Sequence, residues 1–113
     1  MACLFCQIAA GVISAKIVYS SPDVTAFRDI NPQAPTHVLV IPNQHVESIA
    51  DVGSSNAQQL ARLFDVVNEV ARLEGIATTG YRVVTNAGPD AGQTVSHVHF
   101  HVLGGRRLTW PPG

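Results

Sequence analysis

His97-Val98-His99-Phe100-His101-Val102-Leu103 alternates histidine with apolar residues through Val102, and Leu103 closes the run. Side chains on a β-strand point alternately to opposite faces. A strand here therefore sends three imidazoles to one side, roughly 7 Å apart, and Val98, Phe100 and Val102 to the other. The apolar side demands a core. The imidazole side demands an explanation, because ordinary polar strand faces use Thr, Lys, Glu and Ser, whereas this one takes three of the chain's five histidines.

Working outward, Tyr81 to Asn86 reads as a strand and leads through the loop Ala87-Gly88-Pro89-Asp90-Ala91-Gly92-Gln93 toward the histidines. Upstream, Asn56 to Glu74 carries Leu60, Leu63, Phe64, Val67, Val70 and Ala71 at helical spacing, with Val66 and Leu73 widening the stripe. Gly75 stops this helix, and Ser55 with Gln58 offers a capping box. His37-Val38-Leu39-Val40-Ile41 is nearly all apolar, as expected of a centre strand covered on both faces. Ile17-Val18-Tyr19 and Val24 to Asp29 form two more strands around the turn Ser20-Ser21-Pro22-Asp23, and residues 1–16 make a short helical or irregular approach closed by Gly11. The expectation is a single α+β domain over residues 1–113, with a mainly antiparallel five-stranded sheet, one long helix and a short N-terminal helix.

Charged residues make up 13% of the 113 and hydrophobic ones 46%, against a charged share of ~25% in an average domain. The mean hydropathy is +0.18. Part of the surface is therefore either neutral-polar or covered by a partner. A net charge of −1 gives no basic stripe for a nucleic acid polymer. No apolar run approaches ~18 residues, and no Lys or Arg precedes the apolar residues of the N-terminus, so neither membrane spanning nor secretion is expected and the chain reads as cytoplasmic.

Three chemistries fit the imidazole face: a plain polar strand, a metal site using all three rings, or acid–base and nucleophilic work near neutral pH. Three rings in a row along one strand converge poorly on a tetrahedral ion. Imidazole is the side chain whose unperturbed titration falls near neutrality, which favours the third. The adjoining loop offers backbone N–H groups, the Gln93 amide and the Thr94 hydroxyl as neutral donors for a phosphate. Cys3 and Cys6 form a CxxC pair that as a redox pair lacks a βαβ context, leaving buried thiols or metal ligands as its readings.

On these residues the chain resembles the histidine triad family. His97 to Leu103 matches the signature His-φ-His-φ-His-φ-φ at every position, where φ is apolar. The resemblance extends over Asp29 to Pro42, Gly92-Gln93-Thr94-Val95, and Gly104-Gly105 through the Trp110-Pro111-Pro112-Gly113 tail, and it points to the Hint-like, purine nucleoside phosphoramidase branch. It implies a hydrolase that cleaves the α-phosphate bond of purine nucleoside phosphoramidates or related conjugates, with His99 as nucleophile and a covalent nucleotidyl-histidine intermediate. Dinucleoside polyphosphate hydrolysis and a nucleotide-binding regulatory role are the rival functions.

By the same resemblance His101 contacts the phosphate, His97 supports the neighbouring ring or the leaving group, and His37 lies behind the triad. Gly92, Gln93 and Thr94 hold the phosphate, Asn86 borders it, and Asp29 accepts from the ribose hydroxyls. Phe27, Ile30 and Leu39 shape a purine slot, and Trp110 reaches toward the site of a partner in a homodimer. Thr94 stands where the pattern usually has Ser, keeping the hydroxyl, and Arg28 stands beside the base. A structural Zn²⁺ on Cys3, Cys6, His45 and His97 is implied, a Cys₂His₂ set suited to tetrahedral coordination.

Overall fold

β3 (Thr36–Pro42) is buried along its whole length, because it is the middle strand of the sheet and is covered on both faces. The computed structural model describes residues 3–113. The other strands are β1 (Ile17–Ser20), β2 (Val24–Arg28), β4 (Tyr81–Val84) and β5 (Phe100–Gly104), in the order β1-β2-β3-β5-β4. Every pairing is antiparallel. The expected short helix is α1 (Leu4–Ala9), and the long one is α2 (Ala57–Leu73). Met1 and Ala2, within the expected N-terminal approach, lie outside the described residues.

The alternation read from the sequence divides the sheet into two faces. Val24, Ala26, Val38, Val40, Phe100 and Val102, joined by Val98, pack against Leu63, Val66, Val67, Val70 and Ala71 of α2. Phe27, Leu39 and Ile41 face the other way and pack against Phe5 and Ile8 of α1. The register places Leu39 opposite His101, and His37 opposite Leu103, so the imidazole face is the one α1 covers. Gly75 stops α2 with φ +72, a conformation that favours glycine, and Ile76 N–H returns to the Ala71 carbonyl at 3.0 Å.

Three local expectations need correction. The Ser55/Gln58 capping box is not formed: residues Ser54–Asn56 make a 3-10 turn ahead of α2, and Asn56 Oδ1 accepts from Gly53 N–H at 3.4 Å and Ser55 Oγ at 3.2 Å. The strand read from the histidine run joins the ladder only at Phe100, because Val98 N–H pairs with the Val46 carbonyl at 2.7 Å instead of with β3. The strand expected to reach Asn86 ends at Val84, where the Thr85 hydroxyl takes the His99 carbonyl at 3.0 Å in place of a ladder bond.

Candidate active site

A cavity of about 720 Å³ opens on the α1 side of the sheet, with His37, His99, His101, Asp29 and Thr94 on its polar wall. Its apolar wall combines Phe27 and Leu39, both buried, with Leu4, Phe5 and Ile8 from α1. The α1 contribution is not anticipated from sequence, although apolar residues at 4, 5 and 8 carry the helical spacing that signals it. Phe5 does most to shape the floor: its ring stands edge-on to His99 at 5.1 Å and to Phe27 at 5.4 Å between centroids. Ile30 also lines the cavity but is 101% exposed, so it stands at the mouth.

The histidine tautomers follow from their partners. His99 Nδ1 lies 2.7 Å from the His97 carbonyl, and a carbonyl can only accept, so Nδ1 carries the proton and Nε2 keeps a lone pair. His97 Nε2 lies 2.8 Å from the Pro42 carbonyl, so its Nδ1 carries the lone pair. Gln33 N–H donates to His37 Nδ1 at 3.0 Å, which puts the His37 proton on Nε2, 2.9 Å from His101 Nδ1. His101 therefore holds its proton on Nε2.

Burial favours the neutral form of His101, His37 and His97. It pushes His101 down to about 4, with the neighbouring His99 and His37 adding to the effect and Asp29 opposing it. Burial also lowers His37, against Asp29, and lowers His97. Asp29 Oδ1 accepts Asn31 N–H at 2.8 Å, while Oδ2 lies 3.5 Å from His37 Nε2. Asp29, His37 and His101 thus bring three donor atoms close together. A cation on His37 Nε2 would force that ring's proton onto Nδ1, against the Gln33 N–H, so the cluster is built as a proton-positioning chain.

The second cluster has the opposite character. Cys3 Sγ and Cys6 Sγ lie 3.4 and 3.5 Å from His97 Nδ1, Cys6 Sγ lies 3.4 Å from His45 Nδ1, and the two Nδ1 atoms are 3.2 Å apart. Zn–S bonds of about 2.3 Å and Zn–N bonds of about 2.0–2.1 Å at tetrahedral angles imply N–N edges of about 3.3–3.4 Å and N–S edges of about 3.5–3.6 Å, each within about 0.2 Å of these distances, so this donor set fits the ion. The His97 Nε2–H to Pro42 bond is the outer contact such a ligand needs, since it turns the Nδ1 lone pair toward the thiols. His97 supports the neighbouring ring through its backbone carbonyl, while its fully buried imidazole points into the Cys cluster.

Other expected residues fall less centrally. Gln93 spends its side chain on backbone: Oε1 accepts from Gly88 N–H at 3.0 Å, and Nε2 donates to the Glu47 carbonyl at 2.7 Å and the Val95 carbonyl at 3.1 Å. That stiffens the loop and leaves Thr94 exposed beside the triad. Asn86, Gly92 and Trp110 do not line the cavity of their own chain, and Trp110 is 80% exposed. Arg28 lines the cavity, with its guanidinium forked onto Glu74, at the end of α2, at 2.7 and 2.8 Å.

The HIT domain family model matches residues 10–108. The chain is 47% identical over 105 residues to purine nucleoside phosphoramidase of Escherichia coli K12, covering 93% of this chain and 88% of that protein. A crystal structure of a HIT family hydrolase from Legionella pneumophila superposes with a TM-score of 0.97 at 47% identity, covering 99% of this chain and 100% of the other. A histidine triad nucleotide-binding protein from Candida albicans gives a TM-score of 0.83 at 30% identity, covering 97% and 83% of the two chains.

Proposed function

The chain belongs to the HIT domain family and is a HIT family hydrolase, and from that premise we propose that it cleaves purine nucleoside phosphoramidates, or related nucleotide conjugates, at the α-phosphate. The observation that carries this reading is the 2.7 Å contact of His99 Nδ1 with the His97 carbonyl, which leaves Nε2 as an unprotonated nitrogen on a ring lining the cavity. The similarity to a phosphoramidase supplies the substrate class.

His99 Nε2 attacks the α-phosphorus, forming a P–N bond as the substrate's own P–N bond breaks. The leaving nitrogen takes the bonding pair and a proton from solvent. The imidazolium of the nucleotidyl intermediate is stabilised by its Nδ1–H donating to the His97 carbonyl. Water then attacks phosphorus as the P–N bond to His99 breaks, its proton passing to solvent and the bonding pair returning to Nε2, and the nucleoside monophosphate is released. Splitting one difficult displacement into two easier ones is the gain. His101 Nε2–H and the Thr94 hydroxyl donate to the non-bridging oxygens, where charge accumulates. Asp29 accepts from the ribose, Phe27, Leu39 and Ile30 hold the purine, and Gly92, Gln93 and Asn86 shape the phosphate loop.

Cys3, Cys6, His45 and His97 would hold Zn²⁺, which would cross-link the N-terminus to the segment preceding β5 and supply no chemical step. Phe64 at 43% exposure and Leu73 at 48%, both on α2, support a homodimer, to which the exposed Trp110 tail contributes. Among the described residues no helix is long and apolar enough to cross a membrane, and we place the protein in the cytoplasm.

The test is release of AMP from adenosine 5′-phosphoramidate and from a diadenosine polyphosphate. Turnover of the first well above the second is expected. Preference for the polyphosphate would move the substrate assignment to the rival hydrolase, and tight nucleotide binding without turnover would leave a regulatory module.

A further inference from the structure

Without the Gln33 N–H on His37 Nδ1, the 2.9 Å bond between His37 and His101 could run in either direction, and only one direction leaves His101 able to donate to phosphate. If His37 Nε2–H donates, His101 keeps its proton on Nε2. If His101 Nδ1–H donates instead, Nε2 presents a lone pair to an anionic oxygen. Asp29 Oδ2, 3.5 Å from His37 Nε2, favours the first direction weakly. The firm constraint is Gln33 N–H on His37 Nδ1, since an amide can only donate there.

Gln33 lies on an exposed turn, so its N–H stays on His37 only if the residue itself is held in place. The chain after β5 does this. Arg106 Nε and Nη2 lie 3.2 and 3.0 Å from the Gln33 carbonyl, and Nη1 lies 3.0 Å from the Arg107 carbonyl, so every guanidinium nitrogen is engaged. Gly105 brings this arm against the turn: φ is +88, and a Cβ there would fall 2.9 Å from Pro35 Cβ. Gln33 Nε2 also donates to the Asn31 carbonyl at 3.0 Å.

We propose that Arg106 is a positioning residue that fixes the direction of the His37–His101 hydrogen bond by clamping the Gln33 carbonyl, which is joined through the Gln33 Cα to the preceding peptide whose N–H meets His37. Its effect passes through backbone and one imidazole to the ring that meets the phosphate. It touches neither substrate nor triad. The inference rests on the reading of His101 as a phosphate donor, but its first readout needs no substrate.

The experiment is long-range ¹H–¹⁵N correlation of imidazole-labelled protein, nucleotide-free at neutral pH, for wild type, Arg106→Met, Arg106→Lys and Gly105→Ala. Wild type should show His37 and His101 as single Nε2–H tautomers. Arg106→Met and Gly105→Ala should both show averaged tautomers, and Arg106→Lys should restore most of the wild-type pattern. With adenosine 5′-phosphoramidate, Arg106→Met should lose about tenfold in kcat with KM within about threefold, a fraction of what a positioned proton donor typically contributes. Unchanged tautomers in Arg106→Met overturn the proposal, whatever its activity, as does an equal loss in Arg106→Lys. Absence of turnover in wild type would instead count against the phosphoramidase reading and leave the tautomer result standing.

Discussion

His99 donates its Nδ1 proton to the carbonyl of His97, two residues back, and His97 at the same time turns its own ring into the Cys3–Cys6–His45 cluster. One residue thus serves two centres: its backbone orients the proposed nucleophile, and its side chain completes a set of four donor atoms with the spacing of a metal site. The following outcomes are expected.

His99→Ala should reduce AMP release from adenosine 5′-phosphoramidate by about 10⁴-fold or more, the usual consequence of deleting a nucleophile. Folding should be little affected, and a thermal melt checks that. A variant retaining a tenth of the activity would show that another group attacks phosphorus.

Elemental analysis of untagged protein should find about one zinc per chain, and Cys6→Ser should lose it together with several degrees of Tm, since a structural metal contributes directly to folding. Less than about 0.2 zinc per chain, with a melt indifferent to chelator, would remove the metal from the structure.

His101 titrates near 4 when folded and near its ordinary 6.5 when unfolded, so the unfolded chain binds more protons between those values. Stability is therefore fully present above about pH 6.5, falls as pH drops toward 4, and changes no further from this group below that. Lowered His37 and His97 act in the same direction. Urea midpoints measured between pH 7.5 and 4 should fall, and His101→Asn should shallow the slope. An unchanged slope in that variant would mean the ring is not held neutral.

Gly104 is glycine for packing: a Cβ there would lie 2.7 Å from Ile76 Cδ1 and 3.2 Å from Ile76 Cβ. Gly104→Ala should cost about 1–3 kcal/mol by overpacking. Ile76→Val removes the closest atom, so the same substitution should cost less in that background, as a double-mutant cycle of urea unfolding would read. Additive effects would show that the contact relaxes without strain.

The sheet faces, the central position of His37 to Ile41 and the Gly75 helix stop are legible in the sequence, because each depends on periodicity or on one residue's backbone freedom. The Cys3, Cys6, His45, His97 cluster needed the family resemblance, since residues so far apart in the chain meet only once the sheet forms. The hydrogen bonds that decide the chemistry are hidden. Gln33 acts through its N–H, and Pro42 and His97 through carbonyls, groups nearly every residue possesses. Arg28 shows the converse: a residue that stands out in sequence goes to Glu74 because β2 alternates it toward α2.

A covalent adduct on His99 is the most direct test of the proposed chemistry. After single-turnover reaction with adenosine 5′-phosphoramidate and a quench in alkali, peptide mass spectrometry should find adenylate on His99 at an early time, decaying as AMP appears. AMP produced at the full rate with no adduct on His99 would contradict double displacement through that ring.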